Sequence, residues 1–350
     1  MHENPVILSD LDDIIAADLP WENLCGKTVL VSGAAGFLPA YMVKTLLHLN
    51  HRSNSAPIRV VGLVRNLEKS RERFLAYASD PNLEFWEADL NQQLTYPGKL
   101  DIIIHAASQA SPKYYGTDPI GTLSANVLGT YHLLDLASRK QVSRFLFFSS
   151  SEVYGVPPEP ASIREDQFGP IDPTQVRSCY AESKRMGETI CVSFLAQKQV
   201  PALMVRPFHT YGPGLHLDDG RVFADFIASI VRKQDIVMNS DGSAVRSFCY
   251  LADATLGFFT VLLKGKPGEA YNVGNPECSV SIRELAQTLV GLYPDLNLKA
   301  VFKSTGSTGS LASTFQQLCP DISKIQNLGW KPVTDIATGF KKSVDSFVHL

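Results

Sequence analysis

Between residues 28 and 205, short apolar runs alternate with helix-forming stretches, and this alternation leaves the chain few architectures. The runs are Thr28–Ser32 (TVLVS), Ile58–Val64 (IRVVGLV), Leu83–Ala88, Ile102–His105 (IIIH), Phe145–Phe148 (FLFF) and Ala202–Val205 (ALMV). Their apolar residues are mostly consecutive, not alternate, so both faces of each strand need covering. Helical stretches around Pro39–Leu49 and Leu123–Ser138 supply that cover. The expected fold class is therefore α/β, a doubly wound parallel sheet. Further helices are expected around 222–233, 253–264 and 281–292, and 303–313 (KSTGSTGSLAS) is expected to be a mobile surface loop. The division predicted is an acidic lead-in over 1–26, a sheet domain over 27–205, and a smaller α/β domain over 206–350. Segments near 246–275 of the latter return to the sheet domain. Leu11, Ile14, Ile15 and Leu19 have rough helical spacing, which predicts a short packed helix in the lead-in.

The turn after the first strand carries chemistry. Gly33-Ala34-Ala35-Gly36-Phe37-Leu38-Pro39 joins that strand to a helix. Small residues there let the backbone approach a pyrophosphate at the positive end of the helix, the signature of a Rossmann-type dinucleotide site. Pro39 replaces a third glycine and fits the first helical turn, where its missing N–H is no loss. The second strand ends in Val64-Arg65-Asn66, without the acid that would bind a free ribose 2′-hydroxyl. Arg65 can meet a 2′-phosphate, stack on adenine, or lie in solvent, so NADP stands beside NAD as the cofactor. Asp89 can reach the adenine or cap a turn.

Tyr180-Ala-Glu-Ser-Lys184 places a phenol and an ammonium on one helix face. Lysine beside tyrosine is expected to favour phenolate and lower the phenol pKa. Such a tyrosine can take a proton from an alcohol while hydride leaves for nicotinamide. Ser149-Ser150-Ser151-Glu152 follows the FLFF strand and supplies hydroxyls to hold that alcohol.

These motifs together resemble an extended short-chain dehydrogenase/reductase of the NAD-dependent nucleotide-sugar epimerase/dehydratase group. The resemblance runs from about 27 to 345. It includes IHAA at 104–107, Asn126-Val-Leu-Gly-Thr130, SSSEVYG, YAESK, Arg206-Pro207 and the tail from Asp321 to Pro332. Within the group the chain looks most like the UDP-glucuronate decarboxylases. That likeness rests on Ala110-Ser-Pro-Lys-Tyr-Tyr115, Leu217-Asp-Asp-Gly-Arg-Val222, Arg177-Ser-Cys-Tyr-Ala-Glu-Ser-Lys-Arg185 and Arg246-Ser-Phe-Cys-Tyr250. The resemblance implies catalysis by Ser150, Tyr180 and Lys184, with Glu152 and Arg246 assisting. It implies cofactor contacts from Gly33, Gly36, Phe37, Leu38, Arg65, Asp89, Leu90, Ala106, Ala107, Ser108, Asn126, Ser149, Tyr180, Lys184 and Pro207. It implies substrate contacts from Lys113, Tyr114, Ser151, His209, Arg221, Val222 and Arg246. The 206–350 region would then bind the nucleotide sugar. Helices near 121–138 and 178–197 resemble the pair through which the family forms homodimers.

The reaction turns on residue 151. Dehydratases of the group resemble Asp-Glu after the catalytic hydroxyl, whereas here Ser151-Glu152 stands, as in the decarboxylases. A serine cannot match a carboxylic acid as proton donor to a leaving hydroxide, while loss of CO₂ from a 4-keto acid needs no such donor. The expected function is oxidation at C4 of a nucleotide sugar, decarboxylation and re-reduction. Alternatives are a 4-epimerase, a 4,6-dehydratase, or a non-catalytic dinucleotide-binding sensor. Glu152 can equally be an ion-pair partner, Arg246 a diphosphate ligand, Arg221 a surface salt bridge, and Lys113 a carboxylate ligand or a solvent-facing lysine. His209 stands where the decarboxylases usually have Asn, and is expected to titrate near neutral pH.

Composition excludes other classes. With 35 acids against 32 bases, the net charge of −3 lacks the basic surplus of a nucleic-acid binder. No run approaches the roughly 18 apolar residues of a membrane span. The first 22 residues hold acids but no Lys or Arg, unlike a secretory signal. Six cysteines without a CxxC pair predict free thiols and no metal site. A cytoplasmic location is expected.

Overall fold

A computed structural model describes residues 3–52, 55–156, 162–302 and 317–348. The stretch 303–313, expected as a mobile loop, lies outside the described residues. Seven strands form one all-parallel sheet. Their spatial order is Ala270–Val273, Ala202–Pro207, Arg144–Phe148, Ile102–His105, Thr28–Ser32, Arg59–Val64 and Leu83–Glu87. Each predicted strand of the first half is present within a few residues. The strand order reverses between Thr28–Ser32 and Ile102–His105, whose register pairs Ser32 with His105. In such sheets the crevice for a ligand opens at this reversal, beyond the carboxyl ends of the strands.

Local chemistry explains the helices that flank this crevice. Pro119–Lys140 starts at Asp118, whose carboxylate accepts the Gly121 N–H at 3.0 Å, with Pro119 in the first turn. It stops at Gln141, which adopts a left-handed conformation. Cys179–Lys198 ends the same way at Gln199 and packs along Pro119–Lys140 on one face of the sheet. On the other face, Phe37–Arg52 and Leu251–Lys264 bury Met42, Leu46, Phe258 and Leu262 against the strands.

A second sheet lies beside the first. Val245–Tyr250 pairs with Ser279–Ser281, Gln317–Pro320 and His209–Tyr211, and Ser162–Ile163 joins its far edge. Helices Val222–Val231, Ile282–Leu292 and Ile336–Val348 enclose a second core around Phe223, Phe226, Phe248 and Phe340. Val245–Tyr250 thus belongs to this layer, whereas Leu251–Lys264 and Ala270–Val273 pack in the large-sheet layer. The lead-in forms a helix, Pro5–Ile15, which buries Ile7, Leu11 and Ile14 in the second core. Leu19 falls beyond its end. All six cysteines are free, and among the described residues no group of His, Cys, Asp and Glu could hold a metal.

Candidate active site

The crevice begins with a backbone that cannot carry a side chain. Gly33 has φ +66°, and a Cβ there would lie 2.7 Å from Ala107 Cα. The neighbouring strand ends therefore approach with bare backbone between them. Ser32 holds them together: its Oγ accepts the N–H groups of Ala106 and Ala107, each at 3.2 Å. The same hydroxyl meets His105 Nδ1 at 2.7 Å, and His105 Nε2 meets Thr130 Oγ1 at 3.0 Å. Burial lowers the His105 pKa to about 3, so the ring is neutral. The network then assigns its proton to Nε2. Thr130 passes its own hydroxyl to the Asn126 carbonyl at 2.6 Å.

Around this frame, three buried polar atoms have no protein partner: Ser108 Oγ, Asn126 Oδ1 and Ser149 Oγ. Buried polar atoms are costly unless bonded, so this rim is chemically suited to a polar ligand. The glycine cradle and the orphaned atoms fit a dinucleotide. Phe37 and Leu38 open the helix after the turn, half-buried, and Gly36 is exposed. Leu90 is buried and Pro207 half-buried. Arg65 is exposed at the end of the second strand. Asp89 is exposed and accepts the Asn91 N–H at 2.9 Å, the turn-capping role.

Ser150, Tyr180 and Lys184 converge next to this rim. Ser150 caps the short turn Ser151–Tyr154 and hydrogen-bonds the Tyr180 phenol. Lys184 is buried, with Nζ donating to the Phe148 carbonyl at 2.6 Å and lying 5.8 Å from the Tyr180 ring centre. Electrostatics here correct the expectation of a lowered phenol pKa. Burial first, then the charge of Glu152, pushes the Tyr180 phenol up to about 12 against the opposing Ser150 hydrogen bond. Burial likewise brings Lys184 down to about 7. The ammonium is committed to a carbonyl, and both groups are too desolvated to favour charge.

Aromatic rings and an ion pair pack around Tyr180. Tyr115 stacks on its ring, with centroids 5.0 Å apart and planes 18° from parallel. The Arg177 guanidinium lies over the Tyr115 ring, 4.6 Å from its centroid. Arg177 also grips Glu152 through two bonds of 2.9 and 3.0 Å. Glu152 is thus an ion-pair partner in this geometry. Tyr115 and Arg177 stand in the motifs given above without a role of their own. Arg177 lies three residues before Tyr180, and that spacing was the available signal.

The opposite wall carries cations. Arg246 is buried on Val245–Tyr250, where the charge of Glu152 reaches it. Arg221 precedes Val222–Val231 and is paired with Asp219. The charge of Arg221 reaches both Tyr180 and His209. The His209 Nδ1 is buried without a partner. Burial, with Arg246 and Arg221 adding, holds its pKa down to about 3. This corrects the expectation of titration near neutrality: the ring is neutral at every physiological pH. Ser151 is buried, and Val222 half-buried. Two loops latch across the opening: Ser111 Oγ donates to the Asp219 carbonyl at 2.5 Å, and Lys113 Nζ to the Asp218 carbonyl at 3.3 Å. Lys113 and Tyr114 are themselves exposed.

A glycine cradle at a strand-order reversal, followed by a Ser–Tyr–Lys set, defines an enzyme of dinucleotide-dependent hydride transfer. The chain belongs to the NAD dependent epimerase/dehydratase family, matched over residues 29–274. It is 34% identical over 324 residues to UDP-glucuronic acid decarboxylase 3 of Arabidopsis thaliana, covering 91% of this chain and 88% of that protein. It is 32% identical to UDP-glucuronic acid decarboxylase 1 of Xenopus tropicalis, over 92% of this chain and 72% of that one. The fold is shared with UDP-glucuronic acid 4-epimerase from Bacillus cereus, solved with UDP-glucuronic acid and NAD. The TM-score there is 0.76 at 23% identity, covering 92% of this chain and 99% of that one. It is shared too with a dTDP-glucose 4,6-dehydratase from Streptomyces venezuelae, with TM-score 0.77, 24% identity and coverage of 92% and 97%.

Proposed function

We propose that this protein converts UDP-glucuronate to a UDP-pentose, using NAD that is reduced and reoxidised within each turnover. The observation that carries this reading is the state of the two residues after Ser150. Ser151 offers no carboxylic acid, and Glu152 is engaged on both oxygens by Arg177. A dehydratase needs an acid aimed at a leaving hydroxyl, and neither side chain serves. Decarboxylation needs only charge stabilisation, which Arg246 and Arg221 can supply.

In this mechanism Ser150 holds the sugar C4 hydroxyl against Tyr180, and the phenolate form of Tyr180, which the positive ring of a bound NAD would favour against burial, accepts its proton. The chemistry that bound NAD would supply at this site is a hydride acceptor for C4 and, once reduced, a donor that restores the hydride. The C5–C6 bond then breaks, CO₂ leaves, and the electron pair enters the C4–C5 enolate. Arg246 stabilises the enolate charge. C5 takes up a proton from water, and as hydride re-enters C4 Tyr180 returns its proton to the C4 oxygen. We assign the dinucleotide to Gly33, Gly36, Phe37, Leu38, Arg65, Asp89, Leu90, Ala106, Ala107, Ser108, Asn126, Ser149, Pro207 and the Tyr180–Lys184 pair. Lys113, Tyr114, Ser151, His209, Arg221 and Val222 are assigned to the nucleotide sugar.

Mass spectrometry of products from UDP-glucuronate and NAD tests this. Loss of CO₂ is expected. A product of unchanged mass but different sugar would make the protein a 4-epimerase, and loss of water a dehydratase. Dinucleotide retained by a protein that turns over no nucleotide sugar would favour the sensor reading. Tyr180→Phe should abolish turnover while leaving dinucleotide binding in place.

We also propose a homodimer. Leu123, Leu128 and Tyr131 of Pro119–Lys140, with Met186 and Val192 of Cys179–Lys198, are large apolar side chains left exposed on the paired helices. A cytoplasmic location is supported by the six free thiols. No helix among the described residues is long and apolar enough to cross a membrane.

A further inference from the structure

The lead-in helix lies outside the family match, yet one of its polar side chains is among the most deeply placed in the molecule. Asp10 is fully buried. Its Oδ2 accepts the Tyr41 hydroxyl at 3.0 Å and the Tyr250 hydroxyl at 2.6 Å, and its Oδ1 accepts the Lys342 ammonium at 2.9 Å. The three donors come from three elements. Tyr41 is in the helix Phe37–Arg52, which opens at the glycine cradle. Tyr250 closes the strand that carries Arg246. Lys342 is on the last helix, Ile336–Val348, and also lies over the Tyr250 ring at 5.6 Å.

Two further links run the same way. Glu3 pairs with Lys44 of the cradle helix at 2.6 Å, and Asn4 donates to the Ser346 carbonyl of the last helix at 3.0 Å. The charge of Glu3 also reaches Arg73, which donates to the Gly214 carbonyl at 2.7 Å in the loop beyond His209. Tyr250 stands in register with Tyr211, and Phe248 with His209, on the parallel partner strand. One carboxylate therefore touches the helix that begins at the dinucleotide turn and the strand pair that carries Arg246 and His209.

We propose that Asp10 is a positioning residue of the active site: by holding Tyr41 and Tyr250 on one oxygen it sets the spacing between the cofactor wall and the sugar wall. The proposal rests on the assignment of those walls above. A fully buried carboxylate is costly unless each oxygen is bonded. Its three donors fix it, and it in turn fixes the elements they belong to. Each wall packs largely in its own core, and Tyr41 of the cradle helix also reaches into the second, so folding of either wall does not rest on the carboxylate alone. What depends on it is their register during a reaction that spans both.

The test uses the full chain with Tyr250→Phe, which removes one hydroxyl, and Asp10→Ala, which removes the acceptor. Melting temperature, calorimetric Kd for NAD and for UDP separately, and kcat and KM for UDP-glucuronate are measured. In Tyr250→Phe we expect each separate Kd within twofold of the parent and kcat lower by about tenfold with KM little changed. Asp10→Ala should lose more. A purely structural role would lower the melting temperature and leave the kcat of the folded protein at the parental value, which overturns the proposal. A second readout needs no turnover, and so separates this idea from failure of the decarboxylase reading. The NAD Kd is measured with and without saturating UDP, and the ratio of the two values should differ between the variants and the parent. An unchanged ratio overturns the proposal even if the substrate proves to be another nucleotide sugar.

Discussion

Gly33→Ala is the sharpest perturbation of the dinucleotide cradle. The residue sits at φ +66°, where an L-amino acid costs about 1–2 kcal/mol. The added Cβ would also lie 2.7 Å from Ala107 Cα and 3.0 Å from Ala107 N. Both are backbone atoms that Ser32 holds in place, so no rotamer change relieves the contact. The two strand ends must part by several tenths of an ångström, widening the place where a pyrophosphate would meet bare amides. Strain and displacement together should weaken NAD by about ten- to a hundredfold, equivalent to about 1.4–2.7 kcal/mol. The melting temperature should fall by several degrees. Gly36→Ala is the internal comparison: there a Cβ meets the Gly33 carbonyl at 3.0 Å without a positive φ, so its effect should be smaller. Calorimetric titration with NAD, alongside thermal melting, reads both quantities. A folded Gly33→Ala protein that binds NAD within twofold of the parent would refute the assignment of this turn to the cofactor.

Glu152→Gln deprives Arg177 of its bidentate partner and loosens the Arg177–Tyr115–Tyr180 stack. It should destabilise the fold by about 2 kcal/mol and lower kcat more than tenfold. Parental kcat in the folded variant would show that the Tyr115–Tyr180 stack does not depend on the Glu152–Arg177 pair. His105 is held neutral with its pKa at about 3, whereas the unfolded chain takes up that proton near the ordinary value of about 6.5. Between those values the unfolded state binds the extra proton, so stability is full above about pH 6.5 and falls as pH drops toward 3. The loss from His105 alone should be about 2 kcal/mol at pH 5, read from denaturant melts at pH 5 and 7. Equal stability at the two pH values would contradict a buried neutral ring. Leu128→Asp combined with Tyr131→Asp should give a monomer by light scattering. A dimeric mass in that variant would place the interface elsewhere.

Much of this was legible along the chain. Strands such as Thr28–Ser32 and Ile102–His105 declare themselves as unbroken apolar runs, because both faces of a central parallel strand are buried. The cradle is readable because only glycine suits its backbone, and Tyr180–Lys184 because four residues bring side chains to one helix face. The short strand Ser162–Ile163 was not foreseen. Two residues carry no periodicity, and its partner, Gln317–Pro320, is distant in sequence. Tyr115 escaped assignment because its stacking partner lies on another helix.

The sequence by itself therefore determined the alternation of strands and helices over 28–205, the glycine turn after the first strand and the spacing of Ser150, Tyr180 and Lys184, since each is written in a short window. Tertiary structure alone decided the protonation states: Tyr180 is raised and His209 lowered by burial that no window contains. It alone decided that Glu152 is bound to Arg177. It also decided the partners of Asp10, which lie 31, 240 and 332 residues away. Spacing along a helix or strand is fixed by covalent geometry, whereas desolvation and long-range pairing exist only once distant segments have packed together.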